Sequence, residues 1–282
     1  MEATLRELSM IHGPSGFEED VTRYIANRLK GKVDTMEIDG IGNLIVRKKG
    51  HKEGPKIVIT AHMDEVGFIV KKIEDSGLLR FEKLGGNDDR ILLAQRVQIN
   101  TRKGFRSGVI GTISAHMRRF DDQQKVRDYQ KLYIDVGVRS KQEAMELGIR
   151  VGDSMSWYPH FDHLSDNRLV GKAFDDRAGC TVLIHALEEF HSDDFAGEIV
   201  GGFTVQEEVG LRGARVISHQ YDADVALALD TTAVSDTPEE VMDQSLALGS
   251  GVGIKVLDFS LISNKKVREQ LIHIAEEQQI PY

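Results

Sequence analysis

The sequence predicts an α/β fold: a mainly parallel sheet with helices on both faces, interrupted by a β-rich insert. Three observations carry that reading. Helix-like and strand-like patterns alternate over residues 1–68 and again over 165–282. Between them, residues 69–164 hold several short strand-like runs and only one helical run. At 282 residues with 40% hydrophobic side chains, the chain has apolar material for one such domain and an insert.

The elements follow in order. Leu5, Leu8 and Ile11 recur at helical spacing, and Gly13-Pro14 ends that helix. Ser15-Gly16-Phe17-Glu18 fits a capping box, with Ser15 as N-cap and Glu18 at the third helical position. Val21, Tyr24, Ile25 and Leu29 then form one apolar stripe. Asp39-Gly40 is a turn, Asn43–Val46 a strand, and the β-branched run Ile57–Ala61 a buried central strand.

In the insert, strands are expected at Ile69–Glu74, Leu78–Lys83, Ile91–Asn100, Ser107–Ser114 and Leu132–Val138, with a helix at Lys141–Leu147. The charged stretch 118–131 reads as an exposed loop, and His160 and His163 as surface residues. The α/β rhythm then returns. Arg177–Phe190 is a helix, Ile199–Val205 a strand, Gly213–Ser218 a short helix and Ala223–Leu229 a strand. Asn264–Gln279 is a helix with Val267, Leu271, Ile274 and Ala275 inward.

Composition removes several classes. Lys and Arg number 36 against 45 Asp and Glu, a net charge of −9, which argues against nucleic-acid binding through bulk charge. No apolar run approaches the roughly 18 residues of a membrane helix, so no membrane partner is expected. The start, Met1–Glu7, has neither a basic region nor an apolar run, so no secretory leader is expected. Cys180 is the single cysteine, which fits a reducing, cytoplasmic setting. It reads as a small core residue. Gly249–Gly253 is glycine-rich but lacks the phosphate-loop pattern, so flexibility is the expected role.

Three apolar strands end in chemically loaded tips: His62-Met63-Asp64-Glu65, Gln206-Glu207-Glu208 and Asp230-Thr231-Thr232. A fourth cluster, Asp175-Asp176-Arg177, precedes a helix. Ligands bind outside the carboxyl ends of strands in open parallel sheets, so the four clusters are candidates to converge. Converging carboxylates repel, and divalent cations resolve that conflict. One His with several carboxylates suits zinc, cobalt or manganese better than calcium. A two-metal site would activate water, and a carboxylate outside the ligand set would take its proton. Glu207 and Glu208 could divide those roles, and Asp64 could orient a ligand or simply hydrogen-bond the turn. Taken singly, each has a plainer reading: a structural His62, a helix-capping Asp175, a solvated Glu207-Glu208 turn, a loop acid at Asp230. The weight lies in four such features at matching positions.

Ala61–Phe68, Lys172–Arg177, Gln206–Ala214 and Leu229–Thr231 resemble signature blocks of the tetrahedral, or TET, metallo-aminopeptidases of the M42 family, which includes glutamyl aminopeptidases. Ser15–Glu18 and Asp39–Leu44 resemble its N-terminal blocks, and all occur in the family's order. The resemblance implies a phosphorylase/hydrolase-like α/β catalytic domain of the zinc-peptidase type, residues 1–68 and 165–282. It implies a barrel-like dimerisation insert, residues 69–164, and dimers assembling into a dodecamer. It implies two zinc or cobalt ions per subunit. His62 and Asp230 would bind one ion, Asp175 would bridge, and Glu208 would bind the second. Glu207 would be the general base and Asp64 would orient the site. The implied reaction removes N-terminal residues from peptides. The family pattern continues with a Gly-Gly-Thr-Asp block and an Arg-Tyr-x-His block carrying a second metal-binding His; these 282 residues stop before them. Another amidohydrolase such as a deacylase, a glycanase-labelled relative, and a weakly active or non-catalytic assembly subunit are the competing readings. Chelator sensitivity separates the glycanase, and metal content with activity separates the assembly subunit.

Overall fold

The computed structural model describes residues 1–114, 116–117, 126–238 and 246–282. Most of the charged stretch 118–131 lies outside them. The chain forms two compact units, Met1–Asp230 and Thr231–Tyr282.

The first unit opens with helices α1 (Glu2–Met10) and α2 (Glu19–Leu29). Strands β1 (Thr35–Ile38), β2 (Leu44–Lys49) and β3 (Lys56–His62) follow. After a barrel segment come the β10–β11 ribbon (Phe161–Ser165, Arg168–Gly171), α4 (Phe174–Glu189), β12 (Glu198–Thr204), α5 (Arg212–Gln220) and β13 (Val225–Ala228). The five-stranded sheet has the order β1-β2-β12-β3-β13. β12 and β13 run parallel to β3, whereas β1–β2 and β2–β12 are antiparallel. The sheet is therefore mixed, not mainly parallel. The cause is local: the Asp39 carboxylate accepts the amides of Ile41, Gly42 and Asn43 and closes a tight β1–β2 turn, which only antiparallel neighbours can share.

Side-chain alternation assigns the two faces. Leu44 and Val46 join Leu8, Val21, Ile25, Leu29, Leu183, Ile184, Leu187 and Phe203 in one cluster, while Ile45, Val58, Val200 and Ile217 form another. Two adjacent glycines of β12 make the approach of the helices possible. A Cβ on Gly201 would lie 2.9 Å from Leu187 of α4, and one on Gly202 would lie 2.7 Å from Ile217 of α5. Adjacent strand residues face opposite ways, so α4 and α5 pack on opposite faces.

The segment 67–157 closes into a six-stranded barrel. Its strands are β4 (Gly67–Ile73), β5 (Leu79–Leu84), β6 (Arg96–Thr101), β7 (Gly104–Gly111), β8 (Tyr133–Asp135) and β9 (Ser154–Trp157), in the order β4-β5-β8-β7-β6-β9. Phe68, Val70, Phe81, Val97, Ile99, Ile134 and Met155 fill it. Phe68 meets Phe81 and Trp157 edge-on, with ring centres 5.2 and 5.1 Å away. Closure removes the open edges a small sheet would otherwise expose. α3 (Lys141–Glu146) lies between β8 and β9.

Two local elements differ from the sequence expectation. Ser15 does not cap α2: its hydroxyl donates to Asp64 Oδ2 at 2.6 Å, a partner 49 residues away, and the N-cap position is Glu18. In α6 (Lys265–Glu277) of the second unit, Ala275 is buried but Leu271 and Ile274 are exposed, because nothing among the described residues covers that part of the stripe.

Two predictions come from this packing. Phe203→Ala opens a cavity in the sheet–helix core and should cost about 3–5 kcal/mol in denaturant unfolding; a loss below 1 kcal/mol would contradict the core assignment. His12 is buried between Ser156 Oγ (3.0 Å) and Ser154 Oγ (2.8 Å) of β9, and burial chiefly lowers its pKa to about 4. The unfolded chain binds this proton near pH 6.5 and the folded chain does not, so its contribution is whole above pH 6.5 and is lost as pH falls towards 4. Wild type should lose on the order of 3 kcal/mol more stability over that window than His12→Gln, measured by urea unfolding. Parallel pH profiles for the two proteins would show that His12 carries no such term.

Candidate metal centre and its cleft

Parallel register brings the loaded tips to one edge. His62, the last residue of β3, pairs with Thr204 of β12, three residues before Glu207. Ala228 of β13 pairs with Thr60, two residues before Asp230. α4 packs against β3, and its first turn carries Asp175 and Asp176 in non-helical backbone conformations.

The result is a carboxylate ring around one buried imidazole. His62 Nε2 lies 2.9 Å from Asp175 Oδ1, 3.9 Å from Asp230 Oδ1 and 4.0 Å from Glu207 Oε2. Two donor sets could each hold a cation, His62–Asp175–Asp230 and His62–Glu207–Glu208, their donor atoms lying within 4.8 Å of one another. Within the first unit, the structure thus gathers His62, Asp175, Glu207, Glu208 and Asp230. Glu207 is as much a possible ligand by distance as Glu208.

Asp64 sits beneath the ring and is fully buried. Its Oδ1 accepts the amide of Glu207 at 2.9 Å, and its Oδ2 accepts Ser15 Oγ at 2.6 Å and the amide of Glu208 at 3.1 Å. His62 Nδ1 faces the Asp64 carbonyl oxygen at 3.1 Å and Asp64 Oδ1 at 3.4 Å. An Nδ1–H donated there leaves the Nε2 lone pair pointing at the ring, the orientation a metal ligand needs.

The electrostatics express the same conflict. Burial would lower the His62 pKa, but hydrogen bonds to Asp175 and Asp64 and nearby negative charge overcome it and push it up to about 11. Burial and then the Asp175 charge raise Glu208 to about 7. Burial also raises Glu207, with Asp230, Asp64 and Asp175 adding to the effect. Asp64 is the exception: burial would raise it, yet hydrogen bonds from His62, Ser15 and the Glu207 amide hold it below the usual carboxylate range. The ring therefore carries more negative charge than one imidazolium neutralises. A donor set of one nitrogen and four carboxylates fits divalent zinc or cobalt.

Several contributors had no role assigned from sequence. Asp176 is buried, accepts the amides of His62 (3.2 Å) and Gly179 (2.8 Å), and burial raises its pKa to about 8. It ties the first turn of α4 to the end of β3. Lys172, also buried, donates to Glu65 at 2.7 Å, and Arg177 donates to the Leu8 carbonyl at 2.6 Å. The adjacent Asp-Asp-Arg run is the one local signal that marked part of this network. Beside the ring, an open cleft of about 830 Å³ is lined by Asp175, Glu208, Phe174, Trp157 and Tyr158 among others, a size suited to small peptides.

Residues 42–282 match the profile of the M42 glutamyl aminopeptidase family. An aminopeptidase from the archaeon Desulfurococcus kamchatkensis superposes with a TM-score of 0.92 at 42% identity, covering 99% of this chain and 77% of that one. The TET1 peptidase of Pyrococcus horikoshii, which can assemble into a tetrahedron or a large octahedral shell, superposes at 0.88 with 34% identity, covering 99% and 82%. A lysyl aminopeptidase of Pyrococcus furiosus is 35% identical over 271 residues, 95% of this chain and 76% of that protein. The chain belongs to the M42 peptidase family, and it is an aminopeptidase.

Proposed function

We propose that this chain is a dinuclear-metal aminopeptidase that removes N-terminal residues from peptides, with Glu207 as general base. The carrying observation is the convergence of Asp175, Glu207, Glu208 and Asp230 on the one imidazole of His62. His62 and Asp230 would hold one ion, Asp175 would bridge, and Glu208 would hold the second. Two zinc or cobalt ions so held would activate water and polarise the first peptide carbonyl.

The chain's own groups do the rest. Glu207 takes the proton of the attacking water and returns it to the leaving amine. Partial burial and neighbouring carboxylates support that role, because they raise its pKa towards the working range of a base. Asp64 accepts the Glu207 and Glu208 amides and keeps the imidazole of His62 oriented. The cleft beside Asp175 and Glu208 takes the peptide. The insert 69–164, most of which forms the barrel, is the proposed dimerisation module, within a larger homo-oligomer of the kind that the Pyrococcus horikoshii relative forms. The enzyme would act on cytoplasmic peptides.

Glu207→Gln should lower kcat on aminoacyl-anilides by about 10²–10⁴-fold while metal content stays at the wild-type value. Full activity in the variant contradicts the base assignment, and loss of metal would make Glu207 a ligand instead. Dialysis against a chelator should abolish turnover, and added Zn²⁺ or Co²⁺ should restore it. Turnover that survives complete metal removal would exclude the proposed chemistry.

A further inference from the structure

Of the two N-terminal blocks, Ser15–Glu18 and Asp39–Leu44, only Ser15 enters the site described above, through Asp64, yet both blocks meet the Glu207–Glu208 turn. After β12 come four consecutive backbone N–H groups, each accepted by a buried side chain from elsewhere. Val205 donates to Asn43 Oδ1 at 3.0 Å, and Gln206 to Glu18 Oε1 at 3.0 Å. Glu207 and Glu208 donate to the two oxygens of Asp64 at 2.9 and 3.1 Å. Successive amides in a turn can form a concave anion-binding nest. Here side chains of the same fold fill it. Glu18 is 5% exposed, and Asn43 and Asp64 are fully buried.

Each acceptor is itself held. Glu18 Oε1 also accepts the Gly16 amide at 2.8 Å, and Ser15, next to that glycine, donates to Asp64 at 2.6 Å. Asn43 Nδ2 donates to Asp39 Oδ2 at 2.8 Å and to the Gly213 carbonyl at 3.1 Å. A Cβ on Gly213 would meet Asn43 Oδ1 at 2.3 Å, so the approach depends on that glycine. Gln206 needs the hold most. Its φ of 55° is left-handed, a conformation that costs a residue with a Cβ roughly 1–2 kcal/mol. It is also the hinge between the strand and Glu207.

We propose that Glu18, supported by Asn43, is a positioning residue for the reaction: by accepting the Gln206 amide it locks the turn that aims Glu207 and Glu208 at the ring. This rests on the aminopeptidase reading and adds residues to its machinery. What matters is the reach of an acceptor oxygen to the Gln206 N–H, and the charge of Glu18 is incidental. A pair of variants separates the two. Glu18→Gln keeps the length and an acceptor but removes the charge. Glu18→Asp keeps the charge but withdraws the oxygen by one methylene.

A displacement of this kind far from the reacting atoms can cost up to about 10²-fold in rate, so Glu18→Asp should lower kcat by roughly 10–100-fold with KM changed less than about threefold. Glu18→Gln should remain within about threefold of wild type. Hydrogen exchange followed by mass spectrometry gives a readout independent of activity: the 205–208 amides should exchange faster in Glu18→Asp and at the wild-type rate in Glu18→Gln. The reverse pattern, with Asp active and protected and Gln impaired, overturns the proposal, as does wild-type exchange and kcat in both. If wild type shows no peptidase activity, the functional reading fails, while the exchange comparison still decides whether Glu18 holds the turn.

Discussion

The structure at the sheet edge is governed by mutual repulsion among carboxylates. Asp175, Glu207, Glu208 and Asp230 converge on His62, with Asp64 and Asp176 buried close by. Like charges at this separation raise one another's pKa unless a cation or a proton intervenes. The fold meets that cost in two ways. It spends backbone amides and a serine hydroxyl on Asp64, which stays ionised. It also leaves the Nε2 of His62 facing Asp175 at 2.9 Å, a gap that only a proton or a cation fills favourably. A ring of this kind has little value to a fold on packing grounds, and a bound divalent cation would relieve its repulsion.

The sheet exists in the form that serves this edge. Parallel pairing of β12 and β13 with β3 sets three strand ends level, and a one-residue slip in either would carry a site residue to the wrong face. The antiparallel β1–β2 hairpin on the other flank contributes Asn43, which reaches across to the amide of Val205. Gly201 and Gly202 let helices approach both faces, and α4 brings Asp175 to the imidazole. Each layer therefore supplies something that the next requires.

Much of this was legible from the sequence. The β-branched run Ile57–Ala61 and the apolar run Ile199–Val205 announced buried strands, and their tips were chemically loaded. Parallel pairing then accounts for the convergence of His62, Glu207, Glu208 and Asp230. What periodicity could not reveal was long-range hydrogen bonding. Ser15-x-x-Glu18 has the local form of a capping box, but Ser15 bonds Asp64 and Glu18 bonds Gln206. No local pattern distinguishes these outcomes, because the competing partners lie 49 and 188 residues away. Strand β9, Ser154-Met155-Ser156-Trp157, is short and half polar and carries no strand signal of its own; the barrel, not its composition, makes it a strand. The sheet reads as mainly parallel from alternating elements, yet the Asp39 turn makes one flank antiparallel.

The most direct test of the account is anomalous diffraction from crystals grown with zinc or cobalt, recorded at the absorption edge of the metal. Two peaks per chain are expected, one among His62, Asp175 and Asp230 and the other among Asp175 and Glu208. Ordered density for all these side chains, with no peak between them at saturating metal, would contradict it.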